Sequence, residues 1–240
     1  MIDYGDIARI GVMVPSGNVV AEPELRAMMP PDVGLLVTRL ALTGSSEAQL
    51  LGMLDGLESA SRLLADAGVD RLAFHCTAVS TFAPHLAGEI RARIGSAAGS
   101  TPSLATADAI LAALAALDAR RVLLVTPYIQ DVHTREIAWL SANGFIVLDG
   151  GGLGLGSNAE MGRLPPATIA AQAEEAAARH PGADVCFICC TAIRSAGLIA
   201  PLEQRLGMPV ITSNQVMAWH ALRSAGLDSA VEGFGLLFAR

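Results

Sequence analysis

Residues 72–78 read LAFHCTA, and residues 185–192 read VCFICCTA. Each is a short apolar run that stops at Cys-Thr-Ala. A run of this length bounded by polar residues predicts a buried strand. In open parallel sheets, ligands sit beyond the carboxyl ends of such strands, so both Cys-Thr pairs mark places where chemistry is done. Working outward from the two copies, the flanking segments also repeat. RIGVMVP (9–15) is echoed by RRVLLVTPYIQD (120–131), and VGLLVTRL (33–40) by the GFIVLDGG run from Gly144. The helical stretch SEAQLLGMLDGLESASRLLADAG (46–68) is echoed by PPATIAAQAEEAAARHPGAD (165–184). TPSLATADAILAALAALD (101–118) is echoed by LGMPVITSNQVMAWHALRSAGL (206–227). The order is kept, at an offset of about 110–114 residues.

Strands alternating with helices predict parallel βαβ units and an α/β fold. Two pseudo-symmetric flavodoxin-like halves are expected, residues 1–118 and 119–240, each with a parallel sheet and the active site in the cleft between them. The last helix of each half is expected to pack against the other. In detail, the pattern predicts a helix from about Glu22 to Met29 and one continuous helix over 46–68, stopped by Asp-Ala-Gly. It predicts a strand over 69–76, then the polar TAVST leading into a helix that runs to about Ile94.

The chain has 240 residues, 52% hydrophobic and 16% charged, which is enough apolar material for a large core. Its net charge is −7, which argues against nucleic acid as a partner. All 16 basic residues are arginine. With no lysine, a Schiff-base or phosphate-loop lysine is excluded. The N-terminal stretch carries acidic residues before its apolar run and is not a signal peptide. No segment approaches a membrane span, and a soluble cytoplasmic protein is expected. Four cysteines, three of them within 186–190, do not form a disulfide framework.

Two thiols facing one cleft from opposite halves can work as an acid and a base, or as a nucleophile and a proton donor. The loops after the strands supply Ser16, Asn18, Thr77, Thr126, Tyr128, Asn158, Thr191, Ser213 and Asn214. These neutral hydrogen-bonding groups stand beside helix N-termini that favour anions. That inventory suits a small carboxylate.

The stretches VPSGNVVAEPE, HCTA, VTPYIQDV, SNAEMGRLPP, CCTAIR and VITSNQVMAWHAL occur in this order across residues 10–223. Together they resemble the aspartate/glutamate racemase superfamily and, within it, the maleate cis–trans isomerases. The resemblance implies a cofactor-free reaction with no metal, on a small unsaturated dicarboxylate. In it Cys76 adds to the double bond, the C2–C3 bond rotates, and Cys190 supplies and reclaims the proton. It implies substrate contacts from Asn18, Tyr128 and Asn158, with Ser16, Thr77 and Thr191 alongside, and a loop at Gly17–Val20 that closes over the substrate. Gly17 departs from the serine common at that position in the family; it loosens the loop and admits substituted diacids. The related arylmalonate decarboxylases keep only the second cysteine, so Cys76 favours an isomerase or a two-cysteine racemase. A carboxylate-binding sensor is the non-catalytic alternative.

Blander readings hold elsewhere. Cys186 reads as core, and strand alternation places Cys189 on the face opposite Cys190. CFIC lies within a strand and does not read as a redox motif. GLGSNA (154–159) does not follow a first strand and does not read as a dinucleotide loop. His75 points away from Cys76 as a core or interface histidine. Asn18 and Asn158 could serve only their turns, and Tyr128 only the surface. The apolar helix 107–117 predicts burial or a subunit interface, with a homodimer or higher homo-oligomer as the expected assembly.

Overall fold

The computed structural model describes residues 4–240. It contains two four-stranded, all-parallel sheets built in the same order. The first combines β1 (Ala8–Pro15), β2 (Val33–Leu40), β3 (Arg71–Phe74) and β4 (Ser103–Ala105) in the order β2-β1-β3-β4. The second combines β5 (Arg121–Tyr128), β6 (Ile146–Leu155), β7 (Val185–Ile188) and β8 (Val210–Thr212) in the order β6-β5-β7-β8. The repeat in the sequence is thus a repeat of topology. The strands in the middle of each sheet are mostly apolar, with arginines at the starts of β1, β3 and β5, because helices cover both faces.

In the first half the helices are α1 (Ala21–Ala27), α2 (Glu47–Gly52), α3 (Leu57–Asp66), α4 (Thr77–Ser80), α5 (Leu86–Ala98) and α6 (Thr106–Ala116). Two expectations are corrected here. The stretch 46–68 is not one helix: α2 starts on a capping box between Ser46 and Gln49, then a 3-10 turn at Met53–Gly56 separates it from α3. Gly56 sits where a Cβ would come within 3.1 Å of the Leu40 side chain, so the chain bends to lie on β2. The helix expected after TAVST is also two pieces, α4 and α5, because Pro84 cannot continue the ladder of α4.

The second half carries α7 (Gln130–Ala142), α8 (Asn158–Arg163), α9 (Pro166–Arg179), α10 (Ile199–Leu206) and α11 (Ser213–Ser224). β6 is the glycine-rich strand. A Cβ at Gly150 would lie 2.5 Å from the Leu124 carbonyl oxygen, and one at Gly152 would lie 2.7 Å from that of Tyr128. The glycines there allow β6 to approach β5 through two register shifts, between Leu124 and Thr126 and between Thr126 and Tyr128. Gly150 and Gly152 therefore have a packing role.

The halves are joined through their last helices. α6 packs on α11, and Ile110, Ala113 and Leu114 of the one and Ala218 and Leu222 of the other are buried in the same apolar cluster. The apolar helix of the sequence is therefore covered within the chain. One apolar cluster runs through both sheets, and a second, formed with α2, α3 and α5, backs the outer face of the first sheet. The Arg71 guanidinium on β3 also reaches across to hold the Ser224 carbonyl at the end of α11. Among the described residues, no helix is long and apolar enough to cross a membrane.

Candidate active site

The carboxyl ends of β3 and β7 meet at a small enclosed cavity. Cys76, Thr77, Tyr128, Asn158, Cys190 and Thr191 line it, with Pro15, Leu42, Leu50 and Met161 as apolar walls. Its volume is about 20 Å³, close to what one water needs. No Arg, Lys, Asp, Glu or His side chain lines it. Six of the eight residues expected at the site are therefore brought together by the fold.

The two sulfurs are held differently. Cys76 precedes α4 with an extended backbone (φ −149°, ψ 113°), and its sulfur accepts the Val79 N–H at the first turn. Cys190 follows β7 with φ +142°, a value L-residues rarely adopt. Its sulfur accepts the Ala192 N–H at 3.2 Å and lies 3.7 Å from the Met161 sulfur. A single hydroxyl ties the two loops together: Ser213 Oγ accepts from Thr77 Oγ1 at 2.9 Å and from the Cys190 N–H at 3.0 Å.

Burial dominates the electrostatics. It pushes the Cys76 thiol up to about 12 and the Cys190 thiol up to about 11. The N–H groups of Val79 and Ala192 pull in the other direction, and so does the Tyr128 hydroxyl at Cys190. Each thiol is neutral in this closed form, with donors already aimed at it for when it loses its proton.

Cys189 is fully buried and does not line the cavity that Cys190 lines. Burial holds its pKa well above the usual range, with the Tyr128 and Ser213 hydroxyls pulling the other way. Tyr128 is buried rather than exposed and acts on both neighbouring thiols. Cys186 is fully buried in β7, as expected of a core residue.

Asn18 and Ser16 do not line the cavity. Asn18 Nδ2 donates to Thr191 O and Oγ1, both at 3.0 Å, and its Oδ1 accepts from the N–H groups of Val20 and Ala21. It caps α1 and braces the Cys190 turn from behind. Ser16 Oγ is engaged with the backbone of Leu42. Asn158 Nδ2 donates to the Leu42 carbonyl at 3.1 Å. Gly17 is packed, not loose: a Cβ there would lie 3.2 Å from Leu42 O and Asn158 Cβ.

His75 stays out of the cavity. Its Nε2 donates to Asn214 Oδ1 at 2.8 Å, because Asn214 Nδ2 is committed to Glu24 at 2.6 Å. Burial pushes the His75 pKa down to about 4, so the ring is neutral. Glu24 in turn accepts the Ser195 and Ala196 N–H groups, linking α1 to the second half. Among the described residues, no group of three His, Cys, Asp or Glu side chains is placed to hold a metal ion.

One residue near the site was missed in the sequence. Glu136 on α7 is buried beside the cysteines, where it influences Cys76, Cys189, Cys190 and Tyr128. A signal existed: Val132, His133, Glu136, Trp139 and Leu140 form the buried stripe of α7, and a carboxylate in such a stripe is unusual.

Paired parallel α/β halves closing on a shared pocket define a class of small-molecule enzyme. The model of the arylmalonate decarboxylase family matches residues 10–238, and the chain belongs to that family. It is 32% identical to a maleate isomerase of Nocardia farcinica, over 96% of this chain and 95% of that protein. It is 28% identical to an arylmalonate decarboxylase of Bordetella bronchiseptica, over 95% of each. A structure of the Nocardia farcinica maleate cis–trans isomerase, a cysteine-to-serine variant with a covalently bound succinylcysteine intermediate, superimposes with a TM-score of 0.88. It covers 96% of this chain and 98% of that one at 29% identity.

Proposed function

We propose that this protein isomerises a small cis-unsaturated dicarboxylate, maleate to fumarate, by reversible addition of Cys76 to the double bond. The observation that carries the reading is the pair of thiols, one from each half, lining a single cavity free of charged side chains. The similarity to maleate isomerases supports it.

The Cys76 sulfur bonds to one alkene carbon and Cys190 gives a proton to the other. The proton lost by Cys76 replaces the one Cys190 has given, so the adduct forms without net change of charge. With the double bond gone, the carbon–carbon bond turns. Cys190 then passes its proton to the departing Cys76 sulfur and takes one back from the neighbouring carbon, the bond to Cys76 breaks, and the trans alkene leaves. The N–H groups of Val79 and Ala192 and the Tyr128 hydroxyl stabilise whichever sulfur is transiently anionic. Thr191 and Asn158 offer neutral donors to the two carboxylates, with Thr77, whose hydroxyl proton goes to Ser213, and Tyr128, whose hydroxyl serves Cys190, lining the cavity beside them, while Asn18 and Ser16 act from behind the wall. Neutral donors orient anions without forming an ion pair that would bind substrate and transition state equally.

The test is turnover of maleate by the purified protein, followed as loss of the cis alkene, with mass spectrometry for a one-substrate adduct on Cys76. If the Cys76→Ala variant keeps most of its activity on an arylmalonate, a decarboxylase of this family is the better reading. If no diacid is turned over while a carboxylate still raises the melting temperature, the protein is a binder.

A further inference from the structure

Glu136 has an arrangement that the isomerase reading leaves unused. It projects from α7 of the second half and is 2% exposed. Its Oε1 lies 2.8 Å from Thr81 Oγ1, which directly follows α4, the helical turn that begins at Cys76. Thr81 Oγ1 also lies 2.8 Å from the Thr77 carbonyl oxygen. A threonine hydroxyl has one proton to give. The Thr77 carbonyl has none, so it can only accept. For both contacts to be hydrogen bonds, Thr81 donates to Thr77 and accepts from Glu136, which must then carry a proton. The other oxygen agrees: Oε2 is buried and has no hydrogen-bond partner among the described residues. A carbonyl oxygen of a neutral acid tolerates that position far better than half of a carboxylate does.

The surroundings point the same way. Within electrostatic reach of Glu136 are Tyr128 at the end of β5, Cys189 and Cys190 after β7, and Cys76 from the first half. On its own helix, Arg135 is the nearby cation, stacked over Phe82, and His133 is turned to Asp149 of β6 at 2.9 Å. His85, beyond α4, pairs with Glu89 at the surface.

We propose that Glu136 is a positioning residue held as the neutral acid. It clamps the Cys76 turn to the second half and keeps negative charge away from the thiols, so that its ionisation suppresses the reaction at alkaline pH. The proposal deepens the isomerase reading and rests on it for its catalytic part. Burial lifts the Glu136 carboxyl from its ordinary value of 4.5 to about 7, against the pull of Thr81 and Arg135. An anion there raises both Cys76 and Cys190 and would repel a dianionic substrate.

The experiment compares kcat/KM from about pH 6 to about pH 9 for the wild type and Glu136→Gln, each normalised to its own value at about pH 6. The wild type is expected to fall behind the variant by up to about tenfold per pH unit above about pH 7. Superimposable normalised profiles would overturn the proposal. A second readout needs no turnover: infrared difference spectra between wild type and Glu136→Gln. A protonated-carboxyl band that titrates away near neutral pH supports the neutral acid, and a carboxylate signal throughout overturns it. In Thr81→Val, which also serves if the glutamine variant does not fold, that band is expected to move as the acid loses its acceptor. An unmoved band overturns the clamp. A titrating carboxyl in a protein that turns over no diacid would refute the isomerase reading while the neutral acid stands.

Discussion

The two halves share a strand order and differ at the cavity between them. In the first, β1 and β2 pair in unbroken register from Ala8–Val33 to Pro15–Leu40. In the second, β5 and β6 slip twice before Tyr128. At the strand ends, the first half presents Pro15 to the cavity and the second presents Tyr128. Cys76 enters a helical turn from relaxed extended backbone, whereas Cys190 sits at φ +142° in a turn that no α-helix follows. The repeat kept a scaffold and let the settings of the two cavity thiols diverge. One sulfur stands in an ordinary backbone setting; the other is aimed by strain.

That contrast can be broken most forcefully at the sulfurs. Cys76→Ser and Cys190→Ser are each expected to lose about 10⁴-fold or more in kcat on maleate. Only the Cys190 variant should retain a substrate adduct in the mass spectrum, because its Cys76 is intact. Adducts in both, or in neither, would erase the division of roles.

A smaller effect lies behind the second half's thiols. Glu136 has a folded pKa raised from 4.5 to about 7, so the folded state binds more protons than the unfolded state between those values. Stability must then fall as pH rises through that window, and the loss is complete above it. Relative to Glu136→Gln, the wild type is expected to lose on the order of 3 kcal/mol between about pH 4.5 and about pH 7. Denaturant titration of the two proteins at several pH values measures this. An unchanging difference would mean that Glu136 titrates normally.

Backbone strain gives the next test. Cys190→Gly is expected to be more stable than Cys190→Ala by about 1–2 kcal/mol, because glycine adopts positive φ freely. Cys76→Gly should instead be less stable than Cys76→Ala by about 0.5–1 kcal/mol. Equal behaviour at the two sites would remove the asymmetry. The smallest expected effect is at Cys189. Cys189→Ala should keep activity within about tenfold, since Tyr128 still contacts Cys190. A loss as large as that at Cys190 would shift the reacting sulfur by one residue.

Much of this was legible in the sequence. The duplicated apolar-Cys-Thr-Ala stretches gave away the parallel sheets and the meeting of Cys76 with Cys190, because strand ends are where βαβ units place their loops. The bends at Gly52–Gly56 and Pro84 were harder, since helical periodicity continues across both. Asn18 was read as a substrate contact, yet its amide is fully used in capping α1 and bracing Thr191. An asparagine in a loop looks the same in sequence whether its side chain faces in or out. Glu136 announced itself only as one acid in an apolar stripe, and its meaning depends on Thr81, 55 positions away.

The antiparallel bridge between Gly44 and Ser157 fastens the loop after β2 to the start of α8. Thr43 O also accepts the Asn158 N–H at 3.2 Å, and Leu42 O accepts the Asn158 amide. Together these contacts form a latch over a chamber too small for a four-carbon diacid. On the isomerase proposal, admitting such a diacid requires these contacts to part, and the rate of that step is expected to respond to solvent viscosity.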